Sequence, residues 1–238
     1  NIFTGIINGI DYSVWNPVID AYIPANYSHN NLSVKLENKK LLVKRFNLPY
    51  KENIPVIGMI SRLVDQKGFD LLEEIIEHLL KMDLQLIILG SGASKYHKIF
   101  TKISKKYPDN IGIRLKFDEK LAHLIEAGSD MFLMPSKYEP CGLNQMFSLK
   151  YGTVPVVRKT GGLADTITEF DPESGEGNGF VFEKYASEQL LDAIKRAVKL
   201  YGNPRIWKKI MKNGMKQDFS WKASAKQYYK VYEKILKR

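Results

Sequence analysis

The chain has 238 residues, of which 44% are hydrophobic and 26% charged, a balance that excludes a disordered or collagen-like polypeptide. It carries 36 Lys plus Arg against 26 Asp plus Glu, a net charge of +10 that suits anionic partners such as nucleic acid, phosphorylated metabolites or acidic lipids. A single cysteine, Cys141, excludes an intramolecular disulfide framework, and no run approaches the roughly 18 to 20 apolar residues that span a bilayer.

The chain opens at Asn1 rather than Met, on an apolar, Gly-broken stretch without the features of a signal peptide. It is expected to be an interior segment of a longer protein. Residues 1–30 read as an irregular lead-in punctuated by Trp15-Asn16-Pro17, and residues 31–46 carry a helical repeat through Leu32, Leu36, Leu42 and Phe46 that Pro49 stops. Apolar strands then alternate with amphipathic helices. Strands are expected at Val56–Ile60, Leu84–Leu89, Ile113–Phe117, Met131–Met134, Val154–Val157 and Gly179–Phe182. Helices are expected at Phe69–Met82, Lys95–Tyr107, Lys120–Ala127, Gly142–Tyr151 and Ser187–Leu200, with two more around 204–217 and 221–237.

Buried strands separated by helices predict an α/β fold, a Rossmann-like parallel sheet with helices on both faces. The expected division is a lead-in over 1–30, a Rossmann-like domain over 31–220 and a tail helix over 221–238. Lysines 208, 209, 212, 216, 222, 226, 230, 234 and 237 fall at helical spacing among apolar residues, which favours solvated helix faces over a nucleic-acid stripe.

In such sheets ligands bind where strands end and helices begin. The first of these loops, Ser61 to Gly68, offers Arg62 and Lys67, a planar fork and a mobile point charge able to hold a diphosphate or to remain solvated. It is not a P-loop. Gly90 and Gly92 let a ligand approach the backbone or simply turn the chain. The stretch Pro135 to Gln145 leaves a strand and opens a helix near Gly142, where free amides and the positive dipole end suit phosphate. Glu139 just before it can accept sugar hydroxyls or complement the dipole. Cys141 is disfavoured as a nucleophile, with no histidine nearby in sequence. Thr160, Gly161 and Gly162 form another backbone cradle, or a turn with Thr160 as cap. His29, His78, His97 and His123 are scattered and no metal-ligand spacing occurs; His78 and His97 read as ordinary helix residues, while His123 is a candidate for lying near the ligand.

Together these motifs go beyond a generic fold. Gly5-Ile6-Ile7-Asn8-Gly9-Ile10-Asp11, Trp15-Asn16-Pro17, Ser61-Arg62-Leu63 with Gln66-Lys67-Gly68, Glu139-Pro140-Cys141-Gly142-Leu143 and Lys159-Thr160-Gly161-Gly162-Leu163-Ala164-Asp165-Thr166 closely resemble the bacterial glycogen synthases and plant starch synthases, from residue 5 to about residue 221. The resemblance implies the C-terminal, nucleotide-sugar-binding half of a two-Rossmann (GT-B type) glycosyltransferase. That family moves glucose from ADP-glucose, or UDP-glucose in some members, to the non-reducing end of an α-1,4-glucan, with retention and without a metal or other cofactor. Arg62 and Lys67 match its diphosphate-binding cations, and Glu139 its carboxylate on the donor glucose. Cys141, Gly142, Leu143 and Asn144 match the turn reaching the sugar and distal phosphate, and Phe117 falls where an aromatic often stacks on adenine. Thr160, Gly161 and Gly162 match a loop beside the phosphates and acceptor, and Gly90 and Gly92 are also expected to bind the nucleotide sugar.

The sequence departs from related retaining transferases eight residues after Glu139, where Phe147 replaces a second Glu, so no carboxylate is expected on the ribose. Asn144 stands where Thr is common. The implied partners are a nucleotide sugar, an α-1,4-glucan and the N-terminal domain of the same protein, with neither nucleic acid nor membrane. The implied location is the cytoplasm for a bacterial protein and the plastid stroma for a plant one. Taken alone, this half is expected to bind ADP or ADP-glucose weakly and not to elongate glucan. Competing readings are another retaining nucleotide-sugar transferase, a non-catalytic nucleotide-sugar-binding domain, and, on charge alone, a nucleic-acid-binding domain.

Overall fold

A computed structural model describes residues 3–236. Asn1 and Ile2 of the lead-in, and Lys237 and Arg238 of the tail, lie outside the described residues. A short 3-10 turn leads into α1 (Lys35–Arg45), and the chain then runs β1 (Val56–Ile60), α2 (Phe69–Leu79), β2 (Gln85–Leu89), α3 (Ser94–Lys106), β3 (Ile111–Arg114), α4 (Glu119–Gly128), β4 (Met131–Met134), α5 (Asn144–Tyr151), β5 (Val154–Arg158), α6 (Gly161–Thr166), β6 (Phe180–Phe182), α7 (Ser187–Tyr201), α8 (Pro204–Met215) and α9 (Trp221–Leu236). The strands form one parallel sheet in the order β3-β2-β1-β4-β5-β6. No helix among the described residues is long and apolar enough to cross a membrane.

Strand side chains alternate between faces, and each face is apolar because helices cover both. Ile57, Met59, Leu86, Ile88, Met131, Leu133, Val154 and Val156 share one core with α2, α3, α7 and α8. Their neighbours Val56, Ile87, Leu89, Phe132, Met134 and Val157 share the other with Leu42 and Val43 of α1, Ile125 of α4, Leu149 of α5 and Leu163 of α6. The expected elements stand at these places, with two shifts that matter. The third strand ends at Arg114, which pairs with Leu89, the last residue of β2; with no neighbour beyond it, the segment from Leu115 leaves the sheet and Phe117 lies in a loop. The helix expected from Gly142 begins at Asn144, because Gly142 adopts a φ of 70°, outside the right-handed helical region.

The lead-in is irregular but packed. Trp15 lies between His123 of α4 and Phe147 of α5, its ring centroid 3.8 Å from one and 4.0 Å from the other. Tyr27 is buried and donates to the Tyr151 carbonyl at 2.7 Å. Asp20 accepts from His123 Nδ1 at 2.8 Å and from the Tyr151 hydroxyl at 2.5 Å. Burial works to raise the Asp20 carboxyl, but the bonds from His123, Tyr151 and the Tyr22 amide outweigh it and hold the group below its usual value. In α8, Trp207, Ile210, Met211 and Met215 face the core while Lys208, Lys209 and Lys212 face solvent, which fits the solvated-face reading of that lysine series. The α9 helix packs little: Trp221, Tyr229, Tyr232 and Leu236 are exposed.

This packing has two measurable consequences for stability. Trp15→Ala removes the filling between two helices and is expected to cost about 3 kcal/mol of stability in urea melts. The second concerns Glu126, fully buried on α4, whose carboxyl burial raises from 4.5 to about 8 despite the Ser148 hydrogen bond and the Lys35 charge. Between those values the folded chain keeps a proton that the unfolded chain has released, so this group's contribution to stability falls as pH rises. Lys35, which burial lowers to about 7, acts in the opposite sense above that value. Glu126→Gln is therefore expected to flatten the loss of stability between 4.5 and about 7, measured as the urea midpoint against pH.

Candidate functional site

A cleft of about 410 Å³ opens at the carboxyl ends of β1 to β4, centred where the strand order reverses between β1 and β4. Its walls come from the loops that follow those four strands.

Beyond β1, the chain continues to pair with the loop beyond β2: Leu63 donates to the Ser91 carbonyl at 3.0 Å, and Ala93 to the Leu63 carbonyl at 2.9 Å. Extended backbone alternates its side chains, so burying Leu63 leaves Arg62 exposed, on the cleft wall. Among the described residues the Arg62 side chain has no ion pair or hydrogen-bond partner. A 3-10 turn, Asp65–Lys67, then sets Lys67 at the same wall.

Lys67 Nζ lies 2.5 Å from Glu139 Oε2. The same oxygen accepts from Ser136 Oγ at 3.1 Å, and Glu139 is 7% exposed. Two further bonds tie these loops together: the Lys137 amide donates to the Gln66 carbonyl at 2.8 Å, and Gln66 Nε2 donates to the Tyr138 carbonyl at 3.3 Å. After the Gly142 turn, Gly142, Leu143 and Asn144 line the cleft at the start of α5. Among the described residues their amides donate to no protein acceptor. The Asn144 side chain is committed to the Ile60 carbonyl at 2.9 Å, which pins the helix start to the end of β1. Across the cleft, Phe117 is 86% exposed, beside Lys116, whose ammonium lies 3.2 Å from Asp118. The Leu121 amide, against some burial and with help from Lys116, holds the Asp118 carboxyl below its usual value.

The structure thus gathers Arg62, Lys67, Gly90, Phe117, Glu139, Gly142, Leu143 and Asn144 around one cavity. It does not bring Gly92, Cys141, Thr160, Gly161 or Gly162 to that wall. Gly92 pairs with Leu63, its amide donating to His97 Nε2. Cys141 packs toward Ile10 and Phe147. The Gly162 amide donates to the Glu139 carbonyl at 3.0 Å, and a side chain there would begin 1.9 Å from the Cys141 carbonyl oxygen, so this segment supports the Glu139 turn from beneath. Thr160 precedes α6 without capping it through its side chain. His123 is buried against Trp15 and Asp20 and does not line the cleft.

Sequence reasoning passed over Ser136 and Arg158. Arg158 Nε donates to the Ser136 carbonyl at 2.9 Å, Nη2 to the Lys137 carbonyl and Nη1 to the Glu183 carbonyl at 3.2 Å. The one available signal was a cation closing β5 directly before the Lys159 motif.

Lys67 with Glu139 and Lys116 with Asp118 are internally balanced. Arg62 and the amides at the start of α5 remain as an electropositive pair of groups suited to an anion. The cleft therefore combines an electropositive edge suited to an anion, a carboxylate able to accept hydrogen bonds and an exposed aromatic ring. Among the described residues no group of three or more His, Cys, Asp or Glu side chains gathers as for a metal ion.

Residues 43–214 match the family described as glycosyl transferases group 1. The chain is 53% identical over 235 residues to the glycogen synthase of Thermosipho africanus, a match covering 98% of this chain and 48% of that protein. It is 51% identical over 232 residues to the glycogen synthase of Kosmotoga olearia, covering 98% and 49%. The chain thus spans about half the length of the curated relatives it matches. Among solved structures, the catalytic domain of starch synthase IV from Arabidopsis thaliana, bound to ADP and acarbose, superposes with a TM-score of 0.91 at 37% identity, covering 99% of this chain and 50% of that one. A sucrose-phosphate synthase from Thermosynechococcus elongatus, at 18% identity and a TM-score of 0.65 over 97% of this chain and 52% of that one, shares the fold. With the family pattern running from within α1 to within α8 and enclosing the loops that wall this cleft, the chain belongs to the group 1 glycosyl transferases.

Proposed function

We propose that this chain is the nucleotide-sugar-binding half of a retaining glucosyltransferase that extends an α-1,4-glucan from ADP-glucose. The observation that carries this reading is the meeting of Arg62, Lys67, Glu139, the α5 amides and the exposed Phe117 ring in one cleft. Arg62, Lys67 and those amides take the diphosphate, and Phe117 takes a face of the base. The glucose lies toward Glu139, since an ionised carboxylate only accepts hydrogen bonds and sugar hydroxyls donate them. Similarity to glycogen synthases, and to a starch synthase solved with ADP and acarbose, supports ADP as the nucleotide and a glucan as the acceptor.

The residues suit the chemistry. As the bond from sugar to diphosphate breaks, negative charge grows on the leaving oxygens. Donors already aimed at that position stabilise the transition state without reorganising, an effect worth about 3 to 4 kcal/mol per strong donor. In this reading cationic side chains and amides take the charge that a metal takes in other transferases. Glu139 orients the donor sugar and stabilises charge on it rather than attacking it. Most of the binding of the glucan acceptor, and the remaining groups around the glucose, come from a second domain of the protein, so this half alone binds nucleotide without elongating glucan.

Calorimetric titration of the chain with ADP and with UDP tests the reading. ADP is expected to bind more tightly. Arg62→Ala is expected to weaken ADP by about tenfold or more with no change in melting temperature, because its guanidinium holds nothing within the fold. Binding of neither nucleotide, or vigorous glucosyl incorporation by this half alone, would contradict the proposal.

A further inference from the structure

Glu139 Oε2 receives two donors of different kinds. Lys67 reaches it at 2.5 Å through a flexible four-carbon stem, partly open to the cleft. Ser136 reaches it at 3.1 Å from a side chain one carbon long on a residue 1% exposed. The backbone under Ser136 is held on both sides. Arg158 binds the carbonyls of Ser136 and Lys137, and the Lys137 amide is bonded to Gln66. Arg158 itself spends its nitrogens on three carbonyls, so this guanidinium is a brace, not an anion ligand.

This arrangement has a consequence for a bound nucleotide sugar. Lys67 shares the cleft wall with Arg62 and the free amides at the start of α5, so an arriving diphosphate draws on the ammonium. The carboxylate cannot follow it toward like charge on the phosphates. It then loses its cation while a sugar needs it in one orientation, and the donor that stays behind is the Ser136 hydroxyl.

We propose that Ser136 is a positioning residue, whose hydroxyl holds Glu139 oriented toward the sugar while Lys67 is engaged by the diphosphate, with Arg158 bracing Ser136 from outside the cleft. The proposal rests on the functional reading above. It assigns Ser136 to the sugar part of the ligand and not to the nucleotide part.

The test uses the full-length protein and compares calorimetric affinities for ADP and ADP-glucose, together with turnover on glucan. Ser136→Ala is expected to bind ADP within about twofold of wild type. It is expected to lose about tenfold in affinity for ADP-glucose relative to ADP, and a similar factor in kcat/KM. Ser136→Thr, which keeps the hydroxyl, restores most of that ratio. Arg158→Lys shows a smaller loss in the same direction, and it carries the test should Ser136→Ala melt early. A wild type that binds both ligands, with variants whose ratio is unchanged or whose affinities for the two fall equally, overturns this proposal alone. A wild type that binds neither overturns the functional reading and this proposal with it.

Discussion

The ion pair between Lys67 and Glu139 joins two loops 72 residues apart in the chain, at the point where the strand order reverses. Both side chains are largely withdrawn from water, so each relies on the other to offset its desolvation, and removing either would leave a buried charge without its counterpart. The pair also decides what remains available in the cleft. With Lys67 neutralised by Glu139 and Lys116 by Asp118, the positive field comes from Arg62 and the amides at the start of α5. For an anion to engage Lys67 it would have to compete with the Glu139 carboxylate.

Much of the surrounding structure keeps that pair in register. Arg158 ties down the carbonyls of Ser136 and Lys137, and Gly162 lies close enough beneath the turn to donate to the Glu139 carbonyl. Asn144 fastens the start of α5 to the end of β1. Farther back, Trp15, Asp20 and Tyr27 of the lead-in brace α4 and α5, the two helices whose N-terminal ends wall the cleft. A segment without regular secondary structure is thereby part of the site's foundation. Its polar groups are matched in the interior: the Asp20 carboxylate takes a bond from His123 and another from Tyr151.

Particular residues show how far local reasoning reaches. Arg62, Lys67 and Glu139 were legible because each sits in a strand-to-helix loop, and in a parallel sheet all such loops emerge at one edge. His123 lies on α4, in the helix that follows such a loop, yet its ring turns inward against Trp15, a residue more than a hundred positions earlier, which no local pattern reveals. Thr160, Gly161 and Gly162 look like an anion cradle, but the Gly162 amide is already committed to the Glu139 carbonyl. Ser136 and Arg158 were overlooked for the converse reason: a serine and a strand-end arginine are ordinary until the fold supplies their partners.

The alternation of buried strands and amphipathic helices, hence the parallel sheet, and the ordered motifs that mark the family are all readable along the chain. Those properties are local: period, turn chemistry and residue type act over a few neighbouring positions. Which candidates face the same space depends instead on long-range packing. Lys67 meets Glu139 because β4 lies beside β1 in the sheet, and Phe117 stands free because β2 ends at Leu89 and leaves the segment after Arg114 unpaired. Strand order and strand length arise from the packing of the whole core, so the contacts that depend on them are written in no single stretch of the chain.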